Sequence, residues 1–300
     1  MKKIILTLLA ALTVCVCFAV AACGGNVELV ANDAEDLLKE DFGVAVKKGD
    51  DDMLNAVNAV IDGWIENGDM DKYMEYYSAL AEEGAEEPEA PEGLKLEWDL
   101  SGYTEELNLY TESGFAPYEF VTSKGYPVSN GEYSVAGIDV AIACQVAENL
   151  NCKLVINDVA FDNVIQSLKS LSGKGIAAAG ITITEERLGE VNFSNVYSSS
   201  TISIVCSVDA QYHNLADLDG LKIGVQKGTS GDLIASAAMT GEGYSYEDED
   251  GNQTAPIKLG ENTQIVQMES YSALMQALKS GKIDVIFMDK APALLLIKNA

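Results

Sequence analysis

Phe161-x-x-Val164-Ile165-Gln166-x-Leu168-Lys169-Ser170 returns later in the chain as Tyr271-x-x-Leu274-Met275-Gln276-x-Leu278-Lys279-Ser280. In both copies a Gly-Lys pair and an apolar strand follow. Helical periodicity generates part of this match, but not the shared Gln, the Leu-Lys-Ser and the strand behind them. Two lobes of similar construction are the economical explanation. Around the first copy the pattern predicts strands over 107–110, 152–156, 176–181 and 200–208, with helices over 139–150 and 161–171. Around the second it predicts strands over 221–226, 265–268 and 283–287, with helices over 231–239, 272–279 and 293–298. Near-continuous apolar strands between amphipathic helices belong to sheets covered on both faces. The fold class is therefore α/β with two lobes, and a ligand cleft is expected where strand ends and helix N-termini converge.

Upstream, Val27–Val30 and Phe42–Val46 read as strands, with a brief acidic helix near 34–39 between them. Asp51–Glu66 carries Met53, Leu54, Val57, Val60, Ile61 and Trp64 on one helical face, and Met70–Leu80 follows as a second helix. Residues 81–92 hold six glutamates with Pro88 and Pro91, a composition that builds no core and reads as an extended linker. Residues 241–262 interrupt the second series with glycines and an acidic run. They read as a surface excursion without the ligand spacing of a calcium loop.

The 300 residues carry 47 acids against 19 bases, a formal charge of -28. That balance excludes nucleic acid as a partner, because binding phosphate backbones takes clustered Lys and Arg. Met1-Lys2-Lys3 followed by the apolar run Ile4–Ala22 reads as an export signal over residues 1–22. Val20-Ala21-Ala22-Cys23 resembles a bacterial lipobox, with Cys23 as the acylated residue that holds the protein at the membrane. Cys144, Cys152 and Cys206 then remain, and a chain of this length does not depend on disulfides, so they are expected as buried thiols. With His213 the one histidine and no Cys-x-x-Cys pair, neither a metal centre nor a Ser-His-Asp triad is expected.

The candidate site needs a cation, an anion and backbone polarity. Gly180-Ile181-Thr182-Ile183-Thr184-Glu185-Glu186-Arg187 follows a strand and opens a turn or helix. Arg187 can fold back to grip a carboxylate through paired charge-assisted bonds, or pair with Glu190 on the surface. Gly228-Thr229-Ser230-Gly231 is a second strand-to-helix turn with hydroxyls and free amides. Asp289 ends a strand, where it can bind an ammonium or cap a turn. Gly114–Phe120 is an aromatic loop in which Phe115 or Tyr118 can pack over a ligand. Together these fit a zwitterion, with the carboxylate on Arg187 and the ammonium on Asp289, strengthened when the cleft shuts.

From about Leu107 to Leu296 the chain resembles the polar amino-acid-binding family of bacterial extracellular solute-binding proteins, the receptors of ABC importers. The resemblance rests on Gly114–Phe120, Ala136-Gly137-Ile138-Asp139-Val140, Gly180–Arg187, Val191-Asn192-Phe193-Ser194, Asp217–Gly220 with Val225–Thr229, and Asp284–Asp289. It implies a two-lobed, periplasmic-binding-protein-like (type II) fold with a hinge and no catalysis. It implies ligand contacts from Gly180, Thr182, Arg187, Thr229, Ser230 and Asp289, with Phe115 and Phe161 as aromatic walls. Glu112 stands where aspartate is common in binders of polar and cationic amino acids, and Gln226 where a side-chain selector sits. No cofactor is implied. The implied partners are a free amino acid and a permease with its ATPase, and the expected state is a lipid-anchored, extracytoplasmic monomer.

Members of the family continue beyond the region that ends near Ile297. Here Val27–Val30, Phe42–Gly49, Met53–Gly68 and Tyr73–Tyr77 resemble that C-terminal material in its own internal order. The expectation is a circular permutant. Residues 23–42 then hold the anchor and part of lobe two, 43–80 part of lobe one, and 81–104 the linker. Residues 105–206 form the main part of lobe one and 207–300 that of lobe two, with crossings near Phe42–Val44 and Val205–Val208. The alternative to permutation is a truncated receptor behind an unrelated helical spacer. The alternatives in function are a lyase or dehydratase on the same fold, or a receptor for another small carboxylate.

Overall fold

A computed structural model describes residues 27–34, 37, 39–210, 212–246 and 252–300. The export signal, Cys23, half of the acidic helix expected near 34–39 and the centre of the 241–262 excursion lie outside these residues, and none of the described residues 34, 37 and 39 is helical. Two sheets define two lobes. The first has the order β10-β3-β9-β4-β8. In it β4 (Glu105–Thr111) runs parallel to β8 (Cys152–Asp158) and β9 (Lys174–Ala177). Then β3 (Ala45–Lys47) and β10 (Val191–Phe193) join antiparallel at one edge.

Four helices cover this sheet: α1 (Asp51–Glu66), α2 (Asp69–Leu80), α3 (Ile138–Asn149) and α4 (Val164–Ser170). α1 forms where its apolar spacing foretold, with Met53, Val57, Val60 and Ile61 buried. Asp50 caps it by accepting from the Met53 amide at 3.2 Å, and Asp51 and Asp52 suit the positive end of the helix. Gly68, at φ 69°, turns the chain into α2. A small antiparallel sheet of β5 (Gly114–Phe115), β6 (Glu119–Pro127) and β7 (Ser134–Ala136) is fixed to this lobe. Gly137 permits its close approach to α3, since a Cβ there would sit 2.0 Å from the Tyr118 carbonyl oxygen.

The second sheet has the order β1-β11-β14-β12-β13. Here β12 (Lys222–Gln226) runs parallel to β13 (Gln264–Met268) and to β14 (Val285–Asp289). β11 (Ser198–Ser207) and β1 (Leu29–Asp33) extend it antiparallel. The helices are α6 (Ser230–Ala238), α7 (Tyr271–Lys279) and α8 (Lys290–Lys298), and α5 (Glu185–Glu190) belongs to lobe one.

Two strands link the lobes. β11 pairs through Ser198–Thr201 with β2 (Lys39–Phe42), then through Ile202–Val205 with β14. The crossing expected near Val205–Val208 therefore falls before Ile202, and residues 202–206 belong to the second sheet rather than the first. Their apolar run suits either sheet, so the sequence alone did not place the change. The other crossing lies at Gly43–Val44, where the single strand expected over Phe42–Val46 divides into β2 and β3.

The N-terminal segment packs into both sheets. β1 pairs along its whole length with β11, β3 sits between β9 and β10, and α1 packs on α3. The stretch 81–104 contains no helix or strand, yet it is docked in both halves, the first through Asn299 bonds to the Ala81 carbonyl and the Glu83 amide and a Lys298–Glu82 pair. Leu100 is buried, Lys95 lies 4.6 Å from the Trp98 ring centroid, and Lys95 pairs with Glu148 of α3. The described ends of the 241–262 excursion also dock, through buried Tyr244 and Leu259 and a Tyr244–Tyr246 stack. Cys144, Cys152 and Cys206 are free and buried.

Candidate functional site

Lobe one offers the cleft a loop of small residues and one arginine. Past β9 the chain reaches Gly180 at φ 52°, where a Cβ would lie 2.4 Å from the Phe115 ring. The Gly180 amide donates to Asp139 Oδ2 at 2.9 Å, so the buried head of α3 fixes the loop. Burial holds the Asp139 carboxyl up at about 6. Behind it Glu119 is buried completely and is pushed well above the carboxylate range, first by desolvation and then by the Asp139 charge.

Thr184 caps α5 and accepts from the Arg187 amide at 3.2 Å. The Arg187 side chain folds inward rather than out to Glu190, which pairs instead with Lys169. Its Nη1 donates to the Thr182 carbonyl at 2.8 Å and its Nη2 to the Gly228 carbonyl of lobe two at 3.0 Å. The guanidinium carbon is 5.5 Å from the Phe161 ring centroid. Only two of the five guanidinium N–H donors are committed to these carbonyls.

Lobe two answers with a helix start and a carboxylate. Thr229 caps α6, and its hydroxyl donates to the Gln226 carbonyl at 2.7 Å. The Gln226 amide donates to the Glu269 carbonyl at 3.0 Å and is in hydrogen-bond contact with Glu112 across the cleft. Glu112 is held up at about 7, by burial first, against the lowering effect of Gln226. Asp289 is 6% exposed at the end of β14, and its Oδ1 has no hydrogen-bond partner.

Glu112, Phe115, Phe161, Gly180, Thr182, Gln226, Thr229, Ser230 and Asp289, all named from the sequence, surround one enclosed space, joined by Ala179 and Tyr271. Tyr118, the other aromatic candidate, does not line it, and neither does Arg187. It lines an adjoining cavity of about 330 Å³ with Glu186, Glu190 and Leu233, because its guanidinium is drawn onto the two carbonyls between these spaces. The enclosed space measures about 10 Å³, so the lobes are shut on it. Across the closed seam Phe115 stacks on Tyr271 with centroids 5.9 Å apart, and Lys227 pairs with Asp162 at 2.7 Å.

Two residues were missed. Tyr271 opens α7 as Phe161 opens the turn before α4, so the sequence echo itself aligned them and was the signal to follow. Glu40 lies in β2, 1% exposed, accepts from the Thr182 hydroxyl at 2.7 Å and meets the Asp289 carboxyl. It falls between the helix expected near 34–39 and the strand expected over Phe42–Val46. Among the described residues no group of three or more His, Cys, Asp or Glu could hold a metal ion. No helix among them is long and apolar enough to cross a membrane.

The profile of the bacterial extracellular solute-binding proteins, family 3, matches residues 107–236. An arginine-binding extracellular protein of Bacillus subtilis is 27% identical over 183 residues, which cover 61% of this chain and 60% of that one. An L-arginine-binding protein of Pseudomonas aeruginosa is 30% identical over 49% of this chain and 54% of its own. The chain thus spans about 60% of the length of the curated relatives it matches. Among solved structures, an ancestral arginine-binding protein bound to arginine superposes with a TM-score of 0.50 at 28% identity, over 65% of this chain and 74% of that one.

Proposed function

The chain belongs to the bacterial extracellular solute-binding proteins, family 3, and from that premise we propose that it captures a free cationic amino acid by cleft closure and delivers it to an ABC importer. The observation that supports this reading is that the Arg187 guanidinium of lobe one, bonded across the seam to the Gly228 carbonyl, feels the Asp289 charge of lobe two. The ligand carboxylate exchanges for the Gly228 carbonyl on Arg187 and meets the amides at the start of α6 near Thr229 and Ser230. The ammonium goes to Asp289. The side chain parts Phe115 from Tyr271, passes Phe161 and reaches Glu112 and Gln226.

A cationic side chain favours the ionised form of Glu112, which burial holds near neutrality, so binding it releases a proton there and strengthens as pH rises toward 7. Relatives that bind arginine or histidine support this choice of ligand. The family is one of binding proteins rather than enzymes. Because the shut space is far smaller than an amino acid, capture requires the lobes to swing apart about the two crossings.

The chain order also belongs to this reading. Strand β1 completes the second sheet and β3 the first, while α1 and α2 cover lobe one, all from residues before 81. Those places are filled in the family by C-terminal material, which supports a circular permutant joined through residues 81–104. The anchor at Cys23 then attaches beside lobe two. Mutating Cys23→Ser is expected to move the protein from the membrane to the soluble fraction.

Calorimetry on residues 24–300 with the free amino acids tests the function. L-arginine or L-histidine is expected to bind at micromolar levels or tighter, about -8 kcal/mol. No heat with any free amino acid would reject the receptor reading.

A further inference from the structure

Two carboxyls meet beside the cleft, where the crossing strand β2 approaches the end of β14 and Glu40 lies behind the cleft residue Thr182. Glu40 is 1% exposed and Asp289 is 6% exposed. Their side chains are in hydrogen-bond contact, and two carboxylates cannot share a hydrogen bond unless one carries a proton. The Thr182 hydroxyl donates to Glu40 at 2.7 Å, and the Ser200 hydroxyl bonds to Asp289. Glu40 Oε2 and Asp289 Oδ1 are buried and receive no donor. Asp289 itself lines the enclosed space. Unpaired buried carboxyl oxygens are costly, and such a pair is the complement of an ammonium group with three donors.

We propose that Glu40 and Asp289 together form the ammonium seat, that the pair holds one proton when the cleft lacks a ligand, and that capture of an amine expels that proton. The proposal rests on the amino-acid receptor reading and deepens it.

The groups around the pair agree with this exchange. Arg187 is the cation within electrostatic reach of both acids. Glu112 and Tyr271 approach from across the enclosed space, and Tyr118 feels the Asp289 charge from the aromatic loop. On the outer side Glu40 lines a groove with Lys39, Asp41 and Lys290, and Lys290 is paired with Asp33. Burial and the Glu40 charge, in that order, push the Asp289 carboxyl well above its usual range, which favours holding the proton of the pair there. An arriving ammonium supplies the donors that the proton supplied, and both carboxylates ionise. The proton passes to solvent. Affinity for an amine consequently rises about tenfold per pH unit while the ligand-free pair remains protonated.

The test is calorimetry of L-arginine and L-histidine binding to residues 24–300, in two buffers of different ionisation enthalpy at pH 7. The wild type, Glu40→Gln and Glu112→Gln are compared. The wild type is expected to release at least one proton per ligand, Glu112→Gln to keep the proton of the pair, and Glu40→Gln to lose it while binding about tenfold or more weaker. Infrared difference spectra of the ligand-free protein supply a reading independent of any ligand. The protonated-carboxyl C=O stretch present in the wild type should lose one component in Glu40→Gln. Binding with the same proton count in Glu40→Gln as in the wild type overturns the assignment of Glu40 and leaves the receptor reading standing. No heat with either amino acid overturns the receptor reading and the ammonium seat with it. An unchanged infrared band overturns the shared proton.

Discussion

The unit opened by Phe161 and the unit opened by Tyr271 share a helix, a Gly-Lys turn and a strand, yet they end in opposite chemistry. After β9 come Ala178-Ala179-Gly180, a loop of small residues that leads to Thr182 and Arg187. After β14 there is no loop at all, for Asp289 is the last residue of the strand and α8 starts next. The aromatic heads of both units line the same enclosed space. The repeated part supplies a scaffold and two rings, and the unrepeated ends supply charge of opposite sign. Polarity in this cleft is thus a property of two short segments, separable from the lobes that carry them.

Breaking the cationic end should have the largest effect. Arg187→Ala removes its bond to the Thr182 carbonyl within lobe one, its bond to the Gly228 carbonyl across the seam and the proposed carboxylate contact. At roughly 1.5–3 kcal/mol for each hydrogen bond to a charged group, affinity for L-arginine should fall about 100-fold or more. Titration calorimetry checks this, with circular dichroism to verify that both lobes stay folded. Equal affinity in the variant would detach Arg187 from the site. Gly180→Ala tests the loop that only lobe one has. Its φ of 52° and the 2.4 Å approach to Phe115 force the ring or the backbone to move. A loss of about tenfold is expected, again by calorimetry.

Replacing the aromatic heads sharpens the comparison from its shared side. Phe161→Ala and Tyr271→Ala should each weaken binding several-fold to about tenfold, as expected for rings that pack on a ligand and on each other. If only one of them matters, the echo is architectural and not functional.

The smallest effect concerns stability. Glu112 is raised from 4.5 to about 7 and Asp139 from 3.8 to about 6, so between about pH 4 and 7 the folded chain binds more protons than the unfolded one. Stability of the ligand-free protein therefore falls as pH rises through that window. The melting temperature should be lower at pH 7 than at pH 5 by roughly a few degrees, and Glu112→Gln should shrink the difference. An identical shift in the variant would remove Glu112 as a cause.

Much of this comparison was legible in the chain. α1 and the helices of both units follow from spacing and caps, and nine of the named site residues meet because strand ends and helix starts converge by topology. What was hidden depends on partners far away in sequence. Phe42–Val46 reads as one apolar run, but β2 pairs with β11 and β3 with β9 and β10, so the run divides where it changes lobes. Glu40 is one buried acid among Lys39 and Asp41, and only the approach of Asp289 and Thr182 gives it a role. The hairpin of β6 and β7 carries little apolar alternation, since half of it faces solvent. Arg187 was named as a candidate from its turn, but its direction is set by the carbonyls of Thr182 and Gly228.

The most direct measurement compares L-arginine with its two blocked forms, N-α-acetyl-L-arginine and L-arginine amide, by calorimetry on the wild-type protein. The account predicts that each blocked form loses about 100-fold or more in affinity, because acetylation removes the charge read by Asp289 and amidation the charge read by Arg187. If L-arginine binds and either blocked form binds as tightly, the two ends of the cleft are not reading a zwitterion.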